Sequence, residues 1–287
     1  YEENPYPRWT KIGTAHKGGV IRDVLQGPTF CLDLGDYESP KCPEILVADC
    51  GTGQQALSTA SIYSNARVLA IDLSLSSLSY ALRKTRELNF SNIDYAQGDI
   101  MELSNIGRQF DLIECVGVLH HLGDPFAGCK VLVDLLRPEG IMKIGLYSDT
   151  ARQEIICGQT LVAEKGYSNI PKDIRQCRQD VISMAKDGNQ IMAGLCAIPN
   201  FFSLSECRDL LFHVQEHRFT LPKIETFLQS LKLKFLGFQF GDQYAPSKFK
   251  TIHQSKQELT SISLWHEFEL MNPETFLGMY QFWCKKL

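Results

Sequence analysis

The chain predicts an α/β fold: a doubly wound, mostly parallel sheet of seven strands, with a helical insertion after the fifth. Three observations carry this. Short apolar runs alternate with longer helical patterns from Ile45 to Tyr147. The first run ends in Asp49-Cys50-Gly51-Thr52-Gly53, a sharp strand-to-helix turn that needs residues without a Cβ. A helix-only stretch over 149–218 is then followed by renewed strand patterns.

The elements follow in order. Ile45–Ala48 reads as the first strand and Gln54–Tyr63 as its helix. Arg67–Ile71 is the second strand, Ser74–Leu88 a helix, and Ile93–Gln97 the third strand. Phe110–Cys115 is the fourth, and Asp124–Leu136 a helix stopped by Arg137-Pro138-Glu139-Gly140. Ile141–Tyr147 is the fifth. Short apolar strands separated by helices imply parallel pairing with both faces covered. Ala151–Gly166, Pro171–Lys186 and Leu204–Glu216 are helical, and Thr220–Leu231 carries Pro222 near its first turn. Lys234–Phe240 alternates as a strand, Leu259–Leu270 is helical, and Gly278–Trp283 is the last strand. Residues 1–40 and 241–256 read as loops. This gives an N-terminal arm over 1–44, a core over 45–148, the insertion over 149–218 and completion of the core over 219–287.

The totals bound the function. With 287 residues, 44% hydrophobic and 22% charged, the chain has ample material for a core. A net charge of −4 gives no general attraction to nucleic acid or to anionic membranes, so neither is expected as a partner. No apolar run approaches the roughly 18 residues that span a bilayer, and no signal-peptide pattern opens the chain, so a cytoplasmic location is expected. The start at Tyr1 in mid-motif reads as a fragment or a trimmed terminus. The ten cysteines include no C-x-x-C pair and read as buried thiols in a reducing compartment.

The glycine turn at the carboxyl end of a strand marks a site for a nucleoside-containing ligand. Gly51-x-Gly53-x-x-Ala56, with Asp72 about 20 residues on, also fits a dinucleotide fingerprint. Charge discriminates. Asp49, Asp72, Asp99 and Glu114 are expected near strand ends on one crevice. A pyrophosphate would be repelled there, whereas a cationic, phosphate-free nucleoside would be favoured. S-adenosylmethionine (SAM) is such a molecule. Asp72 suits its ribose diol, Asp99 its adenine amino group, and Leu73, Ile100 and Met101 its flat faces. The alternative is that these acids merely cap helices.

Asp49-Cys-Gly51-Thr52-Gly53, Ile71-Asp72, Gly98-Asp99-Ile100, the run Phe110 to Leu122 with His120 and His121, and Leu135-Leu-Arg-Pro-Glu-Gly140 resemble the ordered motifs of class I SAM-dependent methyltransferases. The resemblance implies a Rossmann-like fold with SAM as cofactor. It sets Gly51 and Gly53 against the methionine part, Asp72 on the ribose and Asp99 near adenine. Glu3 to Trp9, Lys143 to Ser148, Cys207 to His217 and Met279 to Trp283 are similar to the methyltransferase module found behind tetratricopeptide repeats in bacterial proteins. That implies an upstream repeat region absent from this chain, and a protein or peptide acceptor ahead of a small metabolite.

The transferring methyl is expected above the first and fourth strands, near Gly117, His120, His121 and Tyr147. Either histidine is a candidate base, with Tyr147 lining the acceptor site; packing of the loop is the competing role. Lys143 reads as a charge at a strand end. Tyr6, Arg8 and Trp9 form an aromatic-basic segment that reads as a lid or a tether. His213-Val-Gln-Glu216-His217 matches an inverted zinc-protease pattern, but no third ligand follows beyond the weak Glu225 and His253, and no metal is expected. Arg208, Asp209, Glu216, His217 and Arg218 read instead as a polar wall or a solvated helix end. Two other functions stay open: a non-catalytic SAM-binding assembly module presenting Trp265, Tyr280 and Trp283, and an NAD-dependent oxidoreductase.

Overall fold

The computed structural model describes all residues except 1–6, 8, 10, 13–17, 64 and 214. The expectations for Tyr6 and Arg8 lie outside the described residues. Contacts divide the chain into two units, 1–148 with 217–287, and 149–216.

The first unit is built on one eight-stranded sheet. In chain order its elements are α1 (Ile21–Val24), β1 (Phe30–Leu32), β2 (Glu44–Ala48), α2 (Gln54–Ile62), β3 (Arg67–Asp72), α3 (Leu75–Glu87), β4 (Ile93–Gln97), β5 (Phe110–Val116), α4 (Pro125–Leu135) and β6 (Leu136–Leu146). The second unit then holds α5 (Gln153–Lys165), α6 (Pro171–Lys186), α7 (Gln190–Ala197) and α8 (Leu204–Leu211). The first unit resumes with α9 (Leu221–Ser230), β7 (Leu233–Gln239), α10 (Tyr244–Ile252), α11 (Lys256–Leu259), α12 (Ile262–Met271) and β8 (Tyr280–Lys286).

Strand order is β1-β7-β8-β6-β5-β2-β3-β4. β2 pairs in parallel with β3 and β5, β3 with β4, and β5 with β6, while β8 runs antiparallel between β6 and β7. The chain winds outward from β2 through β3 to β4, then reverses through β5 to β6. The reversal opens a crevice outside the carboxyl ends of β2 and β5, where ligands of open α/β sheets bind.

The eighth strand corrects the expected count of seven. β1, from the segment read as a loop, pairs antiparallel with β7. Three residues carry no periodicity of their own; their partner supplies the register. The stretch read as a loop over 241–256 likewise contains α10, with Pro246 in its first turn where its missing N–H costs nothing.

Local chemistry sets the ends. Ser74 accepts from Ser77 N at α3, and Asp124 from Phe126 N and Ala127 N at α4, with Pro125 next. The sheet separates two apolar layers. Ile45, Val47, Ala56, Leu57, Val68, Leu112 and Trp283 share the α2 side. Leu46, Ile113, Cys129, Leu132, Ile144, Phe238 and Trp265 share the other. Trp265, Tyr280 and Trp283 were read as exposed, but all are buried. Trp265 stacks on Phe249 with centroids 3.6 Å apart, and the Tyr280 hydroxyl donates to Glu269 Oε1 at 2.7 Å. An assembly surface built on them is therefore excluded.

The second unit has its own core of Ile155, Leu161, Ile174, Cys177, Val181, Leu195 and Phe201. Arg152, near its start, pairs with Glu216, at its end, at 2.8 Å with both side chains buried. The helix expected to reach Glu216 ends at Leu211. The HxxEH pattern is consequently off-helix, and its acid is held by arginine. Among the described residues no cluster of three His, Cys, Asp or Glu could hold a metal. Among them, too, no helix is long and apolar enough to cross a membrane.

Candidate nucleoside-binding crevice

The crevice is organised by the turn after β2. Asp49 takes φ +61° and Gly51 φ +53°, so the chain leaves the strand in left-handed steps that aspartate tolerates and glycine prefers. Gly53, at φ +85°, is the cap residue of α2. A Cβ there would lie 2.6 Å from Ala81 Cβ, so glycine also permits the close seat of α2 against α3. Gly53 brings no capping side chain, which leaves the first-turn N–H groups of α2 facing the crevice end of the sheet.

Asp72 ends β3 and is 5% exposed. Its Oδ2 accepts the Gly51 N–H at 2.7 Å and its Oδ1 the Ser74 N–H at 2.8 Å. One carboxylate thus fixes both the glycine turn and the start of α3. Asp49 also hydrogen-bonds this carboxylate, and the remaining lone pair is the chemistry a vicinal diol requires. Asp99 caps a short 3₁₀ turn over Ile100–Asn105 by accepting from Met101 N at 2.8 Å. Leu73 and Met101 are exposed apolar side chains at this mouth, and Ile100 is buried beneath them. Exposed apolar groups beside carboxylates suit a flat heterocycle with a polar edge.

Asp49 keeps a solvent-facing edge, but packing on its other sides desolvates the carboxyl, and Asp72 and Asp99 add like charge. Together these hold it well above the ordinary aspartate range. Of the four acids expected on one crevice, Asp49, Asp72 and Asp99 lie within one another's field. Glu114 is the correction. β5 runs on to Val116, so Glu114 lies within the strand, buried, accepting from Thr59 Oγ1 at 2.5 Å and Gln55 Nε2 at 3.1 Å. It faces α2 and lends no carboxylate to the mouth. Thr52 is also turned inward: its Oγ1 donates to the Pro7 carbonyl at 2.5 Å and accepts from Trp9 Nε1 at 3.1 Å. Trp9 is buried, and Tyr80 donates to its carbonyl. Of the segment read as a lid or a tether, the described residues Pro7 and Trp9 lie against the glycine turn; the bonds to Thr52 that hold them there were not part of that reading.

Gly117 follows β5 at φ +83°. Beyond it His120 is fully buried and stacks on Tyr147, with centroids 3.7 Å apart. His121, partly exposed, sets its edge against both rings. Backbone bonds from His217 N to His120 O and from Phe219 N to Tyr147 O hold this aromatic group at the end of β6. Lys143 is not at a strand end: it sits within β6 between Glu114 and Trp283.

The Asp49 environment gives a proton-linkage prediction. The folded protein holds this proton more tightly than the unfolded chain, so stability of the ligand-free form falls as pH rises from the ordinary aspartate range through the raised value. A cationic ligand favours the carboxylate and expels the proton. Calorimetry at one pH within that window, in two buffers that both hold that pH but differ in ionisation enthalpy, should give binding enthalpies that differ in proportion to those ionisation heats. Equal enthalpies across the window would remove Asp49 from the ligand's field.

Comparison with known proteins agrees with this geometry. Residues 45–140 match the family model described as a methyltransferase domain. An uncharacterized protein of Synechococcus sp. is 28% identical over 255 residues, covering 81% of this chain and 58% of the relative. The ubiquinone biosynthesis O-methyltransferase of Actinobacillus pleuropneumoniae is 34% identical over 101 residues, covering 33% of this chain and 43% of that protein. The chain spans about half the length of these curated relatives. PKMT2 from Rickettsia typhi shares the fold, with a TM-score of 0.66 at 14% identity over 90% of this chain and 52% of that one. Family model and fold meet on the segment that builds the turn, the capping acids and the switch point: residues 45–140 are similar to a methyltransferase domain, and the sheet around them has the fold that PKMT2 shares.

Proposed function

We propose that this protein transfers a methyl group from SAM to an acceptor that enters at the carboxyl ends of β5 and β6. The observation that carries the reading is the meeting of Asp49, Asp72 and Asp99 around a glycine turn, a charge pattern suited to a sulfonium and unsuited to pyrophosphate. Gly51 and Gly53 would hold the methionine part, Asp72 the ribose diol, Asp99 the adenine amino group, and Leu73, Ile100 and Met101 the adenine faces. Gly117 leaves room beside the reacting carbon. When bound, SAM supplies a methyl group already activated by positive sulfur, so the chain's work is alignment and exclusion of water.

His121 is our candidate for the group that takes the acceptor's proton, because it is the partly exposed ring of the pair. His120 and Tyr147 are positioning residues that hold it by stacking. His121→Ala should leave SAM affinity unchanged and lower turnover about 100-fold or more. His120→Ala should lower the melting temperature, since it opens a cavity in a packed site. Full activity in His121→Ala would assign both histidines to packing alone.

The activity is tested with methyl-labelled SAM and a cell extract, counting protein and small-molecule fractions separately. Label in the protein fraction supports the protein or peptide acceptor suggested by the repeat-associated resemblance; label in small molecules supports a metabolite. SAM binding with label in neither fraction supports a non-catalytic binding module.

A further inference from the structure

Trp9 is bonded to the glycine turn itself. Its ring is 6% exposed and belongs to the apolar layer on the α2 side of the sheet. Its Nε1–H is shared between the Thr52 carbonyl at 3.2 Å and Thr52 Oγ1 at 3.1 Å. An indole N–H can only donate, so both bonds run from Trp9 to the turn. The Thr52 hydroxyl spends its own proton on the Pro7 carbonyl at 2.5 Å. The main-chain carbonyl of Trp9 accepts from the Tyr80 hydroxyl on α3. The Tyr80 ring also meets the indole edge-on, with centroids 5.8 Å apart.

These bonds make a second tie between the turn and α3. The first is Asp72, which accepts from Gly51 N at the turn and Ser74 N at the start of α3. The second runs from Thr52 through Trp9 to Tyr80. A ligand affects the two differently. The Asp72 carboxylate is the group assigned to the ribose. Thr52 is 1% exposed and Trp9 is buried, so the second tie is closed to solvent and holds before any ligand arrives.

What the second tie controls is the orientation of one peptide plane. The Thr52 carbonyl is held by the indole. The N–H of the same peptide, on Gly53, donates to the Cys50 carbonyl at 3.0 Å. A planar peptide anchored at both its oxygen and its nitrogen cannot swing about the chain axis. Gly51 and Gly53 flank Thr52 at φ +53° and +85°, and glycine is the residue with the most conformations to lose. Without the indole donor the carbonyl is free to turn, and the Gly53 N–H turns with it. The ring of Trp9 fills space; its N–H aims a peptide.

We propose that Trp9 is a positioning residue of the cofactor site: its indole N–H fixes the Thr52–Gly53 peptide, so that the glycine turn is set for the methionine part of SAM before the ligand arrives. This rests on the methyltransferase reading and adds to its site a residue 43 positions before Thr52. A turn that is already ordered loses less conformational freedom on binding, so Trp9 raises affinity without touching the ligand.

The test uses the full chain. Trp9→Phe keeps a ring in the apolar layer and removes the donor. In the ligand-free variant, hydrogen exchange should quicken at least tenfold in a peptide covering 50–54, which holds the bonded Gly51 and Gly53 amides. Exchange in a peptide covering β6 should stay within twofold of the parent. SAM affinity by calorimetry should fall at least fivefold. Thr52→Val and Thr52→Ser read the tie from its other end, however well Trp9→Phe folds: the valine should weaken SAM binding, and the serine, which keeps the hydroxyl, should restore it. Joining Trp9→Phe to Thr52→Val should weaken binding by less than the product of the single effects, because both break one tie. SAM affinity within twofold of the parent in Trp9→Phe, exchange unchanged at the turn or quickened equally over β6, no rescue by serine, or multiplicative effects would each overturn the positioning role while leaving the methyltransferase reading intact. Failure of the parent to bind SAM overturns the cofactor assignment and the proposal with it.

Discussion

Asp72→Ala should weaken SAM binding by about 1.5–3 kcal/mol, roughly 10- to 100-fold in Kd, because a charged hydrogen-bond partner is lost. The same change should loosen the site before any ligand arrives. Asp72 accepts from both Gly51 and Ser74, so its removal frees two backbone donors at a 5%-exposed position. Calorimetry reads the first effect and thermal melting of the ligand-free protein the second. Asp72→Asn separates them further: one amide oxygen can still accept from one backbone group, but the amide nitrogen meets the other donor. Affinity unchanged in both variants would remove the carboxylate from the ligand site.

Gly53→Val should be worse for the fold and abolish binding. The residue sits at φ +85°, where a β-branched side chain costs about 1–2 kcal/mol or more. Its Cβ would meet Ala81 Cβ at 2.6 Å and Tyr95 Oη at 3.1 Å, an overpacking of about 1–3 kcal/mol. Together these predict a melting temperature lower by on the order of 10 °C. α2 must also shift away from α3, carrying the turn out of register with Asp72. A variant that melts like the parent and still binds SAM would show that the turn is not under this constraint.

Much of this was legible because each core element carries its own boundary chemistry. Ser74 and Asp124 stand where helices begin, and both accept first-turn N–H groups. Ile93–Gln97 forms the strand at the bounds its apolar pattern implies. What escaped depends on distant partners. β1 is three residues long and exists because β7 offers an edge. α7 lies in a stretch whose apolar residues show no clear face until α5 and α6 pack on it. Glu114 and Lys143 were misplaced for one reason: the strands run further than their apolar cores, so charges read as terminal lie inside the sheet. Trp265 and Trp283 look like interface aromatics until Phe249 and Gln239 are seen to meet them.

The site divides the same way. Gly51, Gly53, Asp72 and Asp99 were readable because spacing along a doubly wound chain fixes which strand end each occupies. Thr52 was not, because its partners Pro7 and Trp9 lie more than forty residues upstream.

The central claim is that carboxylates at the mouth choose a cationic methyl donor over a phosphate-bearing coenzyme. Competition calorimetry tests it directly: titrate SAM into the protein alone, then into protein in the presence of a large excess of NADH. The account predicts saturable SAM binding that NADH leaves unchanged. NADH that binds at the glycine turn and displaces SAM would contradict it.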